Sequence, residues 1–189
     1  MIVINLKPND IMFNSGVMLI DLKRWKEQQI ENRLMKFIAM KKGHIQQGDQ
    51  GALNHVLSHD VYCFQPKYNS VTIFYDFSYK ELLEYRKPVS GYYNENLIKV
   101  AVEDPVLIHF TTSFLSKRPW MKGCRHIYCR EWRRYKHMSP WKDEPLRDDP
   151  RRPWKIHIFR MLPRAFAIFV ASWFQVYGRP FKNAIKYSK

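Results

Sequence analysis

Apolar positions along the chain fall into short runs and longer periodic stretches. Val17-Met18-Leu19-Ile20 is a continuous apolar run too short for a helix, the pattern of a strand buried on both faces. Asp21 then suits a helix N-cap. Leu22, Trp25, Ile30, Leu34, Phe37 and Ile38 follow at helical spacing, while Lys23, Lys26, Glu27, Glu31 and Arg33 take the other face. The pattern predicts one amphipathic helix over 22–41 that stops near Gly43. Gly48-Asp49-Gln50 opens a second, shorter helix carrying Ala52, Leu53, Val56 and Leu57. Val61 to Phe64 and Val106 to Phe110 read as strands, and Cys124 to Met138 as a further helix. The order strand, helix, helix, strand, strand, helix predicts a mixed α/β fold without internal repeats. Met1 to Asp10 reads as an internal strand and turn, having neither the basic start nor the cleavage pattern of a secretory signal.

Composition narrows the class. With 189 residues, 46% apolar and 15% aromatic, the chain folds around a core and is neither disordered nor collagen-like. Three cysteines, Cys63, Cys124 and Cys129, are too few and odd in number for a disulfide framework, which points to a reducing, cytoplasmic setting. The net charge of +15 speaks to anionic partners. It is unevenly spread, because residues 151–189 hold nine Lys/Arg and no Asp or Glu. Residues 142–153 place three prolines among charges and read as a linker between a domain over 1–141 and a basic tail over 154–189. Within that tail, Ala165 to Tyr177 has only Ser172 and Gln175 as polar residues. It is shorter than the roughly 20 residues needed to span a bilayer. Basic flanks and aromatic content suit a helix lying on an anionic membrane surface, against the plainer reading of a helix docked on protein.

Several chemistries are not indicated. The chain has no Gly-rich phosphate loop, no Gly-x-Ser-x-Gly elbow and no His-Glu-x-x-His pair. Cys124, His126, Cys129 and His137 have irregular spacing for zinc and read better as packing and surface residues. Arg125 to Trp141 interleaves basic and aromatic residues as a nucleic-acid surface would. However, Tyr128, Trp132 and Tyr135 are spaced by four and three, which favours the inner face of an ordinary helix and no nucleic-acid partner.

Three separated pieces are more specific. Phe13-Asn14-Ser15-Gly16-Val17-Met18-Leu19-Ile20-Asp21-Leu22 with Trp25, then Gly48-Asp49-Gln50-Gly51-Ala52-Leu53-Asn54, then Ile108-His109-Phe110 running to Lys117-Arg118-Pro119-Trp120, together resemble glycosyltransferase family 8. Pro66-Lys67-Tyr68-Asn69 is similar to the family's segment after the Asp-Gln helix. On the residues alone, Asn14 is either a turn asparagine satisfying its own backbone or a ligand for a sugar hydroxyl. Asp49 is either an N-cap or a donor contact. His109 is either a satisfied core histidine or a metal ligand.

The resemblance implies the functional alternatives. Asn14, Asp49 and Gln50 would contact the donor sugar, with Gln50 and Asp49 nearest the reacting carbon. His109 would hold a manganese ion, or another divalent cation, on the donor diphosphate. The family's glycine and lysine, three and six residues after the histidine, are here Thr112 and Leu115, and Pro119 comes three residues late. The diphosphate contact therefore falls to Lys117 or Arg118, with Lys117 ranked first. The implied protein is the C-terminal part of a Rossmann-like, GT-A type nucleotide-sugar transferase, its N-terminal half and Asp-x-Asp motif absent. Its partners would be a uridine diphosphate hexose and a glycan or lipid-linked acceptor. Transfer would proceed with retention, in bacterial surface polysaccharide synthesis, at the inner face of the cell membrane. The alternative is a non-catalytic membrane-surface or assembly module derived from such an enzyme.

Overall fold

The computed structural model describes Leu6 and residues 10–88, 92–151, 157, 159 and 161–187, with backbone alone at Pro180, Ala184, Lys186 and Tyr187. The strand and turn expected over 1–10 lies outside these residues except for Leu6 and Asp10. In chain order the elements are α1 (Leu22–Glu27), α2 (Ile30–Met40), α3 (Asp49–Leu57), a 3₁₀ turn (Pro66–Asn69) and β1 (Ser70–Val71). They continue with α4 (Ile73–Asp76), α5 (Tyr79–Arg86), α6 (Glu95–Glu103), β2 (Ile108–His109) and α7 (Cys129–His137). Last come α8 (Arg164–Trp173), a π turn (Phe174–Gly178) and α9 (Arg179–Tyr187). The chain is mixed α/β and divides into two compact units, Met1–Phe64 with Tyr177–Lys189, and Gln65–Val176.

In the first unit Asp21 caps α1 as its position in the sequence suggests, accepting from the backbone N–H groups of Lys23 at 3.0 Å and Arg24 at 3.1 Å. The single helix expected over 22–41 is two. Gln29 adopts a left-handed φ of 49° between α1 and α2. The cause is in the spacing: Trp25 and Ile30 are five apart, more than one helical turn, so a continuous helix would rotate Ile30 off the inner face. The break resets the phase. Ile30 and Phe37 become buried, and Phe37, Ile45 and Ala52 form a small core with Leu34 and Ile38 against it. Gly43, at φ 75°, ends α2 by donating its N–H to Ile38 O at 3.0 Å.

The strands expected at Val17–Ile20 and Val61–Phe64 do not form. Met18, Leu19, Ile20, Tyr62 and Phe64 are exposed instead. An apolar run supplies side chains suited to a sheet but not the neighbouring backbone that makes one, and no strand lies beside these segments among the described residues of this unit.

The second unit holds the strands that do pair. β1 and β2 run parallel, with Ser70 opposite Ile108 and Val71 opposite His109. The strand expected over 106–110 is thereby shortened to two residues. Around it pack Ile73, Phe74, Phe77, Leu82 and Ile98. Helix α5 begins with a capping box, Ser78 and Glu81 exchanging side-chain and backbone hydrogen bonds. The helix expected from Cys124 starts only at Cys129, because residues 124–128 form a turn in which Tyr128 N donates to His126 Nδ1 at 3.2 Å.

The apolar stretch 165–177 differs from a helix resting on lipid alone. Helix α8 buries Ala167, Ile168, Ala171 and Ser172 in the core of the second unit. Its Ser172 Oγ donates to Glu84 O at 2.8 Å, and Arg164 forks onto Glu81 at 2.6 and 2.9 Å. The small residues share one helical face and lie close to α5, while Phe166, Phe169 and Trp173 remain exposed on the other. Among the described residues no helix is long and apolar enough to cross a membrane.

Candidate functional site

The candidate residues fall in both units. In the first, Asn54 draws two motif segments together. Its side chain is fully buried, its Oδ1 accepting from Phe13 N at 2.8 Å while its Nδ2 donates to Phe13 O at 2.9 Å and Gln50 O at 2.8 Å. The Phe13-Asn14-Ser15 turn is thus pinned beside the start of α3. Ser15 Oγ donates to Asp49 at 3.5 Å across the same junction. Asn14 Oδ1 accepts from Gly16 N at 2.7 Å, the local turn arrangement, which leaves its amide hydrogens for another partner. Asp49 is not the N-cap. Gly48 takes that place at φ 60°, and Asp49 is the first helical residue, its carboxylate near the positive helix end. Gln50 Nε2 donates to Gln47 Oε1 at 2.7 Å. Gly51 is dictated by packing, because a Cβ there would lie 2.0 Å from Gln46 O.

In the second unit the parallel pairing of β1 and β2 sets His109 beside Asn69. His109 Nδ1 lies 2.9 Å from Asn69 Oδ1. With an acceptor oxygen there, Nδ1 carries the hydrogen and Nε2 presents its lone pair. Burial, and then the charge of Arg118, hold the imidazole pKa below its ordinary 6.5, so the ring is neutral at neutral pH. A neutral, oriented imidazole fits a divalent cation as a single ligand. Among the described residues no three His, Cys, Asp or Glu side chains gather closely enough to hold a metal ion. The residues present thus supply one ligand to such a cation.

The extra residues after His109 are built into the protein. Ser113 Oγ donates to Asp76 Oδ2 at 2.7 Å, and Ser116 Oγ donates to Asp76 Oδ1. Phe114 packs with Phe77, Tyr85 and Phe159. Only after this anchored stretch do the two cations come. Lys117 Nζ turns to Lys122 O at 3.0 Å and Asp149 at 3.7 Å. Arg118 lies close enough to His109 to depress its pKa, with the guanidinium carbon 5.2 Å from the centre of the Trp120 ring. Its Nε is buried without a hydrogen-bond partner among the described residues. A buried guanidinium N–H left unpaired is costly, and an anion would satisfy it. Lys117 is thus engaged by Lys122 O and Asp149, while Arg118 keeps a buried Nε without a partner among the described residues. Counting back from Pro119-Trp120, rather than forward from His109, would have selected Arg118. Asn69 lay in a quoted segment without an assigned role, and Asn54 stood in the α3 motif. Asp76 carried no local signal, since Ser113 and Ser116 are 37 and 40 residues away, and for Asp149 only the Arg151 pair was local, its contact with Lys117 spanning 32 residues.

Residues 1–124 match glycosyl transferase family 8, a span that contains every candidate residue named above from Asn14 to Arg118. The chain belongs to that family. Among curated proteins it is similar to a lipopolysaccharide 1,2-glucosyltransferase of Escherichia coli K12, 25% identical over 136 residues, covering 72% of this chain and 36% of that one. It is similar also to general stress protein A of Bacillus subtilis, 29% identical over 135 residues, covering 68% and 42%. Glycosyltransferase GlyD of Streptococcus pneumoniae is 30% identical over 130 residues, covering 65% and 14%. This family 8 chain thus spans about two-fifths of the length of the first two relatives, at 36% and 42%. No solved structure matches it significantly. The family 8 match ends at residue 124, so α7, the 142–151 stretch and α8 lie beyond it.

Proposed function

We propose that this chain handles the donor in a glycosyltransferase that moves a hexose from a nucleoside diphosphate, uridine diphosphate foremost, to a glycan or lipid-linked acceptor. The observation that carries the reading is the presence of a neutral, oriented His109 and of an Arg118 whose buried Nε has no hydrogen-bond partner among the described residues, both within the span matched to family 8. Arg118 takes the diphosphate contact in this reading, ahead of Lys117. A forked cation beside the leaving group offsets the charge that builds there. Asn14, Asp49 and Gln50 are assigned to the donor sugar, supported by the Asn54 clamp that sets the Asn14 turn beside α3. His109 would hold a divalent cation such as manganese, whose chemistry when bound is neutralisation of diphosphate charge.

Transfer with retention is part of the proposal. The acceptor oxygen bonds to the anomeric carbon on the face that the diphosphate leaves. The carbon–oxygen bond to the diphosphate breaks with its electron pair, and the hydroxyl proton passes to the departing phosphate oxygen. The chain would correspond to the C-terminal part of a Rossmann-like GT-A domain, a reading supported by the share of its relatives that it spans. A role in bacterial surface polysaccharide synthesis draws on the name of the Escherichia coli relative. Attachment at the cytoplasmic face of the membrane is supported by the exposed Phe166, Phe169 and Trp173 of α8 and by the acid-free basic tail. Co-sedimentation with anionic vesicles, reduced by Phe169→Ser and absent for neutral vesicles, tests that attachment.

The central test is calorimetric titration of the chain with uridine diphosphate, with and without manganese. Manganese-dependent binding that His109→Ala abolishes and Arg118→Ala weakens about tenfold is the expected result, the latter being the ordinary worth of a charged hydrogen bond. A folded chain that binds no uridine diphosphate overturns the donor-site reading and leaves the non-catalytic module.

A further inference from the structure

The segment 147–151, proline-flanked and beyond the family match, lies along the loop that carries Lys117 and Arg118. Arg147 N donates to Trp120 O at 2.9 Å and Lys122 N to Arg147 O at 2.9 Å, a parallel bridge between Met121 and Arg147. Two residues on, Asp149 is a largely enclosed carboxylate, its side chain 10% exposed. Its Oδ1 accepts from Arg151 Nε at 2.9 Å and its Oδ2 from Arg151 Nη2 at 2.8 Å. On its other side lies Lys117 Nζ, at 3.7 Å. Arg151 Nη1 then donates to Ser113 O at 2.7 Å, at the start of the same loop. One carboxylate–guanidinium pair thus grips the loop at Ser113, the first residue of the stretch anchored by Asp76, and at Lys117, just past its last.

The grip has a consequence for the residue between Lys117 and Pro119. Lys117 Nζ is committed to Lys122 O and Asp149, so the adjacent Arg118, whose buried Nε has no hydrogen-bond partner among the described residues, is the cation left for an anionic ligand. Hydrogen bonds from Arg151 hold the Asp149 carboxyl down at about 2, which keeps it charged throughout the working pH range. Forked carboxylate–guanidinium pairs fix orientation as well as charge.

We propose that Asp149, clamped by Arg151, is a positioning residue that holds the 113–122 loop so that Arg118 meets the donor diphosphate. This rests on the reading of Arg118 as the diphosphate contact.

The sign of the effect separates positioning from simple electrostatics. Asp149→Asn removes a negative charge close to the site, and charge alone would tighten the binding of an anion. Loss of the grip weakens it. The experiment titrates uridine diphosphate with manganese into the whole chain, wild type, Asp149→Asn, Arg118→Ala and the double variant, with melting curves for each. The expected result is a five- to tenfold weaker affinity in Asp149→Asn. In the Arg118→Ala background the same change has less than a twofold effect, because the residue it positions is gone. A structural role alone would weaken both backgrounds equally. If Asp149→Asn does not fold, Arg151→Lys keeps the charge while losing the fork, and the same pattern is expected of it. Wild-type or tighter affinity in Asp149→Asn, with Arg118→Ala weakened, overturns the positioning role alone. Equal weakening by Asp149→Asn in the two backgrounds overturns it as well. Full affinity in Arg118→Ala, or no binding by the wild type, overturns the donor reading and the positioning role with it.

Discussion

Glu81→Gln measures how firmly α8 is held on the protein. Arg164 reaches from α8 to fork onto the Glu81 carboxylate, and its hydrogen bonds are the main reason that carboxyl sits at about 2 against an ordinary 4.5. A difference of that size corresponds to about 3 kcal/mol when converted directly. The Arg164 side chain is 53% exposed, so screening by water reduces the figure, and we expect about 1–2 kcal/mol. The sign follows from linkage. The carboxyl is more acidic folded than unfolded, so its contribution is complete above the unfolded value near 4.5 and fades as pH falls through about 2. Glutamine keeps one acceptor oxygen for the Ser78 N–H and removes the charge together with one of the two hydrogen bonds from Arg164, so the variant reports on the forked ion pair. Urea unfolding of wild type and Glu81→Gln, followed by circular dichroism at pH 7, 5, 3.5 and 2.5, should show a gap of about 1–2 kcal/mol at pH 7 that narrows steadily below pH 4.5. A gap that is absent, or that does not change with pH, would refute the docking of α8 through Arg164.

Two further substitutions probe the first unit. Asn54→Ala strips three hydrogen bonds from a fully buried amide and should cost about 2–3 kcal/mol in urea unfolding, with faster hydrogen exchange at the Phe13 amide; unchanged exchange would show that Asn54 does not hold the turn. Gly51→Ala places a Cβ against Gln46 O, in backbone that cannot yield cheaply, and should lower stability by about 3 kcal/mol or more, whereas Ala at a surface helix position normally stabilises. A melting temperature equal to that of the wild type would refute the close approach.

The candidate site was nominated in pieces. Asn14, Asp49, Gln50 and His109 could be proposed from sequence because each lies in a short motif whose members are neighbours along the chain. Asp49 was read as an N-cap on the bland alternative, yet Gly48 holds that place, because a left-handed backbone there turns the chain into α3. The choice between Lys117 and Arg118 needed the fold. Adjacent side chains leave an irregular loop in different directions: Lys117 is drawn to Asp149, 32 residues downstream, whereas the buried Nε of Arg118 is left without a partner among the described residues. Asn54 stands in the helix motif, but that its amide would bond Phe13 depends on two segments meeting, which no local pattern encodes.

The sequence by itself determined the elements whose causes are local. Asp21 capping α1, Gly43 ending α2, the Ser78–Glu81 box opening α5 and the amphipathic phase of α2 all arise from contacts within a few residues. Only the tertiary structure decided which apolar runs became strands. Ile108–His109 found Ser70–Val71 as a partner, whereas Val17–Ile20 and Val61–Phe64, at least as apolar, form no strand and leave most of their side chains exposed. It decided likewise that one face of Ala165–Tyr177 packs on α5 while its aromatic face is left outward. The physical reason is common to both. A helix satisfies its backbone from its own neighbours, but a strand or a docked face is stabilised by groups far along the chain, and their arrival is a property of the whole fold.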